Sequence, residues 1–331
     1  MRLSLLLLTL PLAACSTAEP SSRPAPADAG APIDAGPSAD AGAALDAGLP
    51  PDAGPLDPLE GATSPHLIQE GYGFTEGAVW RRRGVFQFVD LSTDRLYEVT
   101  MQDEVSTARP RAQGAVGLIE DAQGQLIVAG HWSRRVASMA DDALPQPLVD
   151  TFEGVRLNSP NDLILASSGD LYFTDPPFGI DPAQRELDFH GVFRRAADGT
   201  VRAEYRGDLS FMPNGIELSP DERTLYVSHS RGAALFRFNL AADGTLGDRE
   251  LFATTGIGPD GLAVDAQGNV YAATLDGVEV FSPDGSPWGV LALPDEPTNL
   301  AFGGPDGHTL FITAVNGVYR STMPIAGREA P

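Results

Sequence analysis

From about residue 64 onward, apolar residues come in short runs separated by turn signals. The clearest pair follows Arg156-Leu-Asn-Ser-Pro-Asn-Asp162. Leu163-Ile-Leu165 is an apolar run of strand length, Ser167 to Gly169 a turn, and Leu171 to Thr174 a second run that stops at Asp175. The pattern predicts a hairpin with polar groups at its mouth. Pro160 restricts the residue before it to extended backbone, which fixes how Asn161 is delivered to the first strand.

The unit recurs. With Asn161 as a first position, equivalent starts fall at Glu76, Val116, Asn214, Asp260 and Asn299, separated in order by 40, 45, 53, 46 and 39 residues. Each is followed by an apolar run, a turn such as Asp121-Ala-Gln-Gly124 or Asp265-Ala-Gln-Gly268, and another apolar run. Six units of this length, all strand and turn, predict an all-β fold: a six-bladed β-propeller of four-stranded blades over residues 64–331. Ser64 to Tyr72 or Tyr319 to Met323 is expected to supply the strand that closes the ring, because closure removes exposed edges.

In a propeller the first residues of the innermost strands crowd around the central channel. Four of the six starts carry Glu76, Asn161, Asn214 and Asp260. Two carboxylates and two amides are hard oxygen donors, suited to Ca²⁺ first and to Mg²⁺ or Mn²⁺ next. Zn²⁺ suits them less, since no histidine pair lies near. Taken singly, Asn-Gly, Asp-Gly and Glu-Gly read as tight turns into strands; repeated at one position of the unit, they read as a ligand set. His131, in Gly130-His-Trp-Ser-Arg-Arg135, is placed to contact substrate, and so is Arg156. Asp90, Asp175 and His229 end second strands and are expected to satisfy backbone groups. Trp80 and Trp132 are expected to pack between blades. Ser159 and Ser210 have no base spaced to suggest a triad.

The N-terminus is different. Met1-Arg2 gives a positive start, Leu3 to Leu12 is apolar but too short to span a bilayer, and Leu12-Ala-Ala-Cys15 follows. This resembles a bacterial lipoprotein signal: residues 1–14 are removed and Cys15 is lipidated. Residues 15–63 read as a disordered stalk, with Asp-Ala-Gly triplets opening at Asp28, Asp34, Asp40, Asp46 and Asp52. Localisation is then the cell envelope, on the outer membrane, with membrane contact only through the lipid. Cys15 is the single cysteine, so no disulfide or thiolate chemistry is available. Every basic residue is Arg, which excludes a lysine Schiff base. The formal charge is −23, of which residues 64–331 keep −17 once Arg2 and the stalk are set aside. Such acidity argues against nucleic acid as a partner.

Taken in order, Glu76-Gly-Ala-Val-Trp80, Arg156 to Asp162, Tyr172-Phe-Thr-Asp-Pro-Pro-Phe-Gly179, Pro213-Asn-Gly-Ile216, Pro259-Asp-Gly-Leu262 and Thr298 to Gly304 resemble the gluconolactonase / senescence-marker-protein / luciferin-regenerating family, in its bacterial gluconolactonase-like branch. The resemblance implies a divalent ion held by Glu76, Asn214 and Asp260, with Asn161 beside it as ligand or substrate contact and His131 near the pocket. It implies a monomeric, metal-dependent hydrolase of a sugar-type lactone. Asp260 or Glu76 would take the proton of the attacking water, and Asn161, His131 and Arg156 would meet the substrate. A non-catalytic, calcium-stabilised ligand-binding propeller and a related esterase are the alternatives.

Overall fold

The computed structural model describes residues 56–140 and 144–328. The signal segment, Cys15 and the stalk up to residue 55 lie outside the described residues.

Six antiparallel four-stranded sheets follow one another around a ring. Five are continuous in sequence, over residues 75–109, 115–149, 163–207, 213–254 and 262–291. The sixth combines three C-terminal strands, Pro297–Gly303, Thr309–Ala314 and Gly317–Thr322, with an outer strand from the N-terminal side, His66–Glu70. Both segments expected to close the ring therefore do so together, since His66–Glu70 pairs with Gly317–Thr322. A six-bladed propeller is what the repeat predicted.

The second strand of each blade lies between two neighbours and is largely buried on both faces, which is why it reads as a continuous apolar run rather than an alternating one. Leu126–Gly130 and Val270–Thr274 are buried at every position. Each of six apolar clusters is shared by two adjacent blades. At the closing interface Trp80 stacks on Phe311 at 5.5 Å and Phe86 on Phe311 at 4.6 Å. Burying one such ring contributes about 2–3 kcal/mol. Stability is therefore spread over six interfaces, and a polar substitution in the channel leaves most of it intact.

Composition assigned residues 57–63 to the stalk, but they pack on the sixth blade. Leu59 and Ala62 touch the cluster between blades five and six, and the Thr63 amide donates to the Thr322 carbonyl at 3.0 Å. Two apolar side chains suffice to hold a segment whose Pro and Asp content reads as linker.

At one end of the channel the C-terminal segment runs from blade six onto blade five, where the Arg328 amide donates to the Val264 carbonyl at 3.0 Å. Arg328 Nε donates to Glu217 Oε1 at 2.8 Å, beside a cavity of about 130 Å³ that also meets Asp162 and Asn299. At the opposite mouth the loops of blades two and three rise. Those loops carry a hairpin, Thr151–Phe152 with Val155–Arg156, and a 3-10 turn, Pro182–Gln184.

Candidate metal centre and rim

The inner strands bend at their starts. Pairing slips between Glu76 and Val79, Ala115 and Gly117, Pro213 and Ile216, and Pro297 and Asn299. A bulge inserts an extra residue and re-aims a side chain, and here it recurs at the start position of four blades. The Gly after three of the starts has a steric reason beyond turn formation. A Cβ on Gly77 would lie 2.2 Å from the Val116 carbonyl oxygen, one on Gly215 2.3 Å from that of Asp260, and one on Gly261 2.4 Å from Asn299 Oδ1. The starts are therefore pressed against one another around the ring.

The structure brings Glu76, Asn214 and Asp260 together. Glu76 is 5% exposed and Asn214 7%. Burial first, and then the charges of Asp260 and Asp162, push the Glu76 carboxyl well above its usual value. Asp260 is half-buried and is shifted the same way by burial, Asp162 and Glu296. Side-chain hydrogen bonding with Asn214 opposes that shift. Second-strand hydroxyls fix the backbone of two starts. Thr174 Oγ1 donates to the Asn214 carbonyl and Ser228 Oγ to the Asp260 carbonyl, both at 2.7 Å.

Asn214 carries the most informative atom. Its Nδ2 donates to Ser230 Oγ at 2.9 Å, and that hydroxyl in turn donates to the Pro259 carbonyl. The amide is thereby oriented, and its Oδ1 is buried without a hydrogen-bond partner. An unpaired buried acceptor costs about 1–3 kcal/mol, and among neighbours that are mutually repelling carboxylates it fits a cation. Among the described residues no three Asp, Glu, His or Cys side chains could hold a metal by themselves, so any shell depends on the amides. Glu76, Asn214 and Asp260, with Asn161, offer only hard oxygen and fit Ca²⁺, Mg²⁺ or Mn²⁺.

Asn161 lies in the same ring but turns its amide nitrogen outward, 3.0 Å from His131 Nε2. Burial pushes the His131 imidazole down to about 4, so it is neutral at pH 7. Nε2 then accepts the amide hydrogen, and Asn161 Oδ1 is left as the atom for the channel or the substrate. That bond holds the Asn161 amide in one orientation.

Two buried residues beside this layer went unmarked in the sequence. Asp162 accepts from the Leu163 amide at 2.9 Å and the Ile216 amide of the next blade at 3.3 Å, and burial raises its carboxyl to about 7. The Asn299 amide lies beside the carboxyls of Glu76 and Asp162 and opposes the rise of both. Asn299 was legible as a strand start of the polar type; Asp162 follows Asn161 directly, and only the register across blades reveals its place.

Arg156 is exposed on the rim hairpin, away from the ring layer. Trp132 does not pack between blades: it is 53% exposed at the mouth, because it follows a second strand where the chain turns outward. Asp90 accepts from Phe74, Ser92 and Thr93. Asp175 accepts from the Asn158 and Ser159 amides, both at 2.8 Å, and His229 Nδ1 accepts from the Met212 amide. All three hold backbone in turns.

Comparison with known proteins agrees with this architecture. Residues 74–316 match the family model described as the SMP-30/Gluconolactonase/LRE-like region. A gluconolactonase of Zymomonas mobilis is 33% identical over 294 residues, covering 79% of this chain and 82% of its own length. A 6-deoxy-6-sulfogluconolactonase of Pseudomonas putida is 31% identical, covering 72% of this chain and 82% of its own. The structure of a gluconolactonase from Xanthomonas campestris superposes with a TM-score of 0.72 at 32% identity, over 78% of this chain and 89% of that one. The chain belongs to the SMP-30/gluconolactonase/LRE-like family.

Proposed function

We propose that this protein is a divalent-cation-dependent hydrolase that opens a sugar-type lactone. The observation that carries the reading is the oriented, unpaired Oδ1 of Asn214 between two crowded carboxylates. The relatives named as gluconolactonase and 6-deoxy-6-sulfogluconolactonase supply the substrate class. Glu76, Asn214 and Asp260 would hold the cation, with Asn161 Oδ1 at the open side. When bound, that cation supplies electrostatic stabilisation of the charge that develops on the lactone carbonyl oxygen.

The remaining work falls to the chain. Asp260, the more open of the two carboxylates, accepts a proton from the attacking water, with Glu76 as the other carboxylate able to do so. The water oxygen bonds to the carbonyl carbon, the ring C–O bond breaks, and the proton passes to the departing ring oxygen. The product is a hydroxy acid. Asn161, held by His131, orients the water or the substrate. A panel of lactones assayed by acid release, with and without chelator, tests the reading. Binding of sugars with no acid release from any lactone would instead favour a ligand-binding propeller.

A further inference from the structure

Beside the ring layer the rim holds a basin of about 650 Å³ lined by Trp132, Arg134, Arg156, Arg185 and Glu186, with Gly179 on its inner side. We infer that this basin is an anion subsite, and that the substrate is a sugar-type lactone carrying an acidic group remote from its carbonyl. The inference rests on the lactonase reading above and narrows its substrate class.

The chemistry of the basin departs from the rest of the molecule. Arg81, Arg194 and Arg328 are matched by carboxylates: Arg81 to Glu120 at 2.7 Å, Arg194 to Asp170 and Glu204, Arg328 to Glu217. Here three guanidiniums face the Glu186 carboxylate, with the buried Asp175 behind Arg134. Arg134 is 5% exposed; its Nε donates to the Leu157 carbonyl at 2.7 Å and its Nη1 to the Gln184 carbonyl at 3.0 Å, with Glu186 Oε1 at 3.4 Å. Its Nη2 is buried with no partner. Arg156 is exposed and bonds Glu186 only through its backbone amide, and Arg185 is half-buried. Neither of these two guanidiniums has a side-chain partner among the described residues. Arg156 is also close enough for its charge to oppose that of Arg134. A local excess of positive charge, three guanidiniums against Glu186 and Asp175 in a domain of formal charge −17, is a specific feature rather than a general field. Planar guanidiniums suit carboxylate, phosphate or sulfonate oxygens. The exposed indole of Trp132 adds an apolar face for a sugar ring.

The basin adjoins the reaction centre. Gly179 lines it and presses on His131: a Cβ there would lie 2.6 Å from the His131 Cβ. The Gly179 amide donates to Ser159 Oγ at 2.9 Å, and His131 is bonded to Asn161. One residue thus separates the anion subsite from the ring layer.

The test uses the full chain and two readouts. Calorimetric titration compares sorbitol 6-phosphate with sorbitol, neither of which can be hydrolysed as a lactone. The expected result is about tenfold tighter binding of the phosphate, lost in Arg156→Met and Arg185→Met. Steady-state kinetics then compare 6-phosphoglucono-1,5-lactone and glucaro-1,4-lactone with glucono-1,5-lactone. The two arginine variants should raise KM for the acidic lactones with kcat retained. A preference for the phosphate alone or for both acidic lactones supports the subsite and identifies the group it takes. Equal affinity for the two polyols, or a preference that survives both substitutions, overturns it. If the polyols are discriminated but no lactone is opened, the subsite stands and the lactonase reading falls.

Discussion

Replacing Asn214 by Leu separates metal binding from folding. Leu keeps the branched shape of Asn, with somewhat greater bulk, and removes both polar atoms. The hydrogen bond from Nδ2 to Ser230 Oγ is lost, at a cost of about 1 kcal/mol, but so is the buried Oδ1 that has no partner, which relieves about 1–3 kcal/mol. Ser230 keeps its bond to the Pro259 carbonyl. Metal-free Asn214→Leu should therefore be as stable as the metal-free parent or slightly more so. With calcium at a thousandfold excess over its dissociation constant, the parent gains about 4 kcal/mol. For a domain of this size 1 kcal/mol is about 2 °C in Tm, so calcium should raise the parent by about 8 °C. If losing one ligand weakens binding about 100-fold, the same calcium stabilises the variant by about 1.4 kcal/mol, or 2–3 °C. Thermal melts of both proteins, stripped and calcium-loaded, measure all four states. A variant that keeps the full calcium shift, or that is grossly unstable when metal-free, would refute the reasoning.

Three other outcomes follow from particular contacts. Gly215→Ala places a methyl 2.3 Å from the Asp260 carbonyl oxygen and 2.8 Å from the Gly261 Cα, both backbone, so urea denaturation should show a loss of about 1–3 kcal/mol. Asp175 is fully buried and its folded pKa is raised to about 7, so the stability tied to its neutral form is complete below pH 4 and is lost as pH rises towards 7. That loss amounts to about 4 kcal/mol, and Asp175→Asn should flatten it; an identical pH slope in parent and variant would show that the carboxyl does not titrate in that window. In cells, Cys15→Ala should move the protein from the membrane fraction to the soluble fraction, and equal partitioning of parent and variant would remove the anchor from the account.

How much of this was legible in the chain depends on whether a residue's role is local. The six starts could be read because each opens its own strand, and for Glu76, Asn214 and Asp260 the following Gly marks a place where neighbouring backbones nearly touch. Asn299 was legible as a start but not as part of the site, although its amide lies beside two channel carboxyls. Asp162 is set by pairing across blades, through the Ile216 amide of blade four. The rim was harder still. Arg156 was legible as a substrate contact at the head of its motif, but Arg134 and Arg185 were not; a hairpin and a 3-10 turn brought by folding make the three neighbours. Trp132 looked like packing because aromatic residues usually are, whereas its exposure depends on where the loop leaves the blade. Residues 57–63 read as linker by composition, and two apolar side chains docking on the last blade outweigh that signal.

The central claim is that carboxylate and amide oxygens at the channel mouth hold a cation needed for lactone opening. Its most direct test is the rate of acid release from glucono-1,5-lactone, above the spontaneous background, by metal-stripped parent, calcium-restored parent and calcium-loaded Asp260→Ala. The account predicts little activity after stripping, recovery with calcium, and a loss of at least about 100-fold in the folded variant. Full activity in the stripped parent, or in Asp260→Ala, would contradict it.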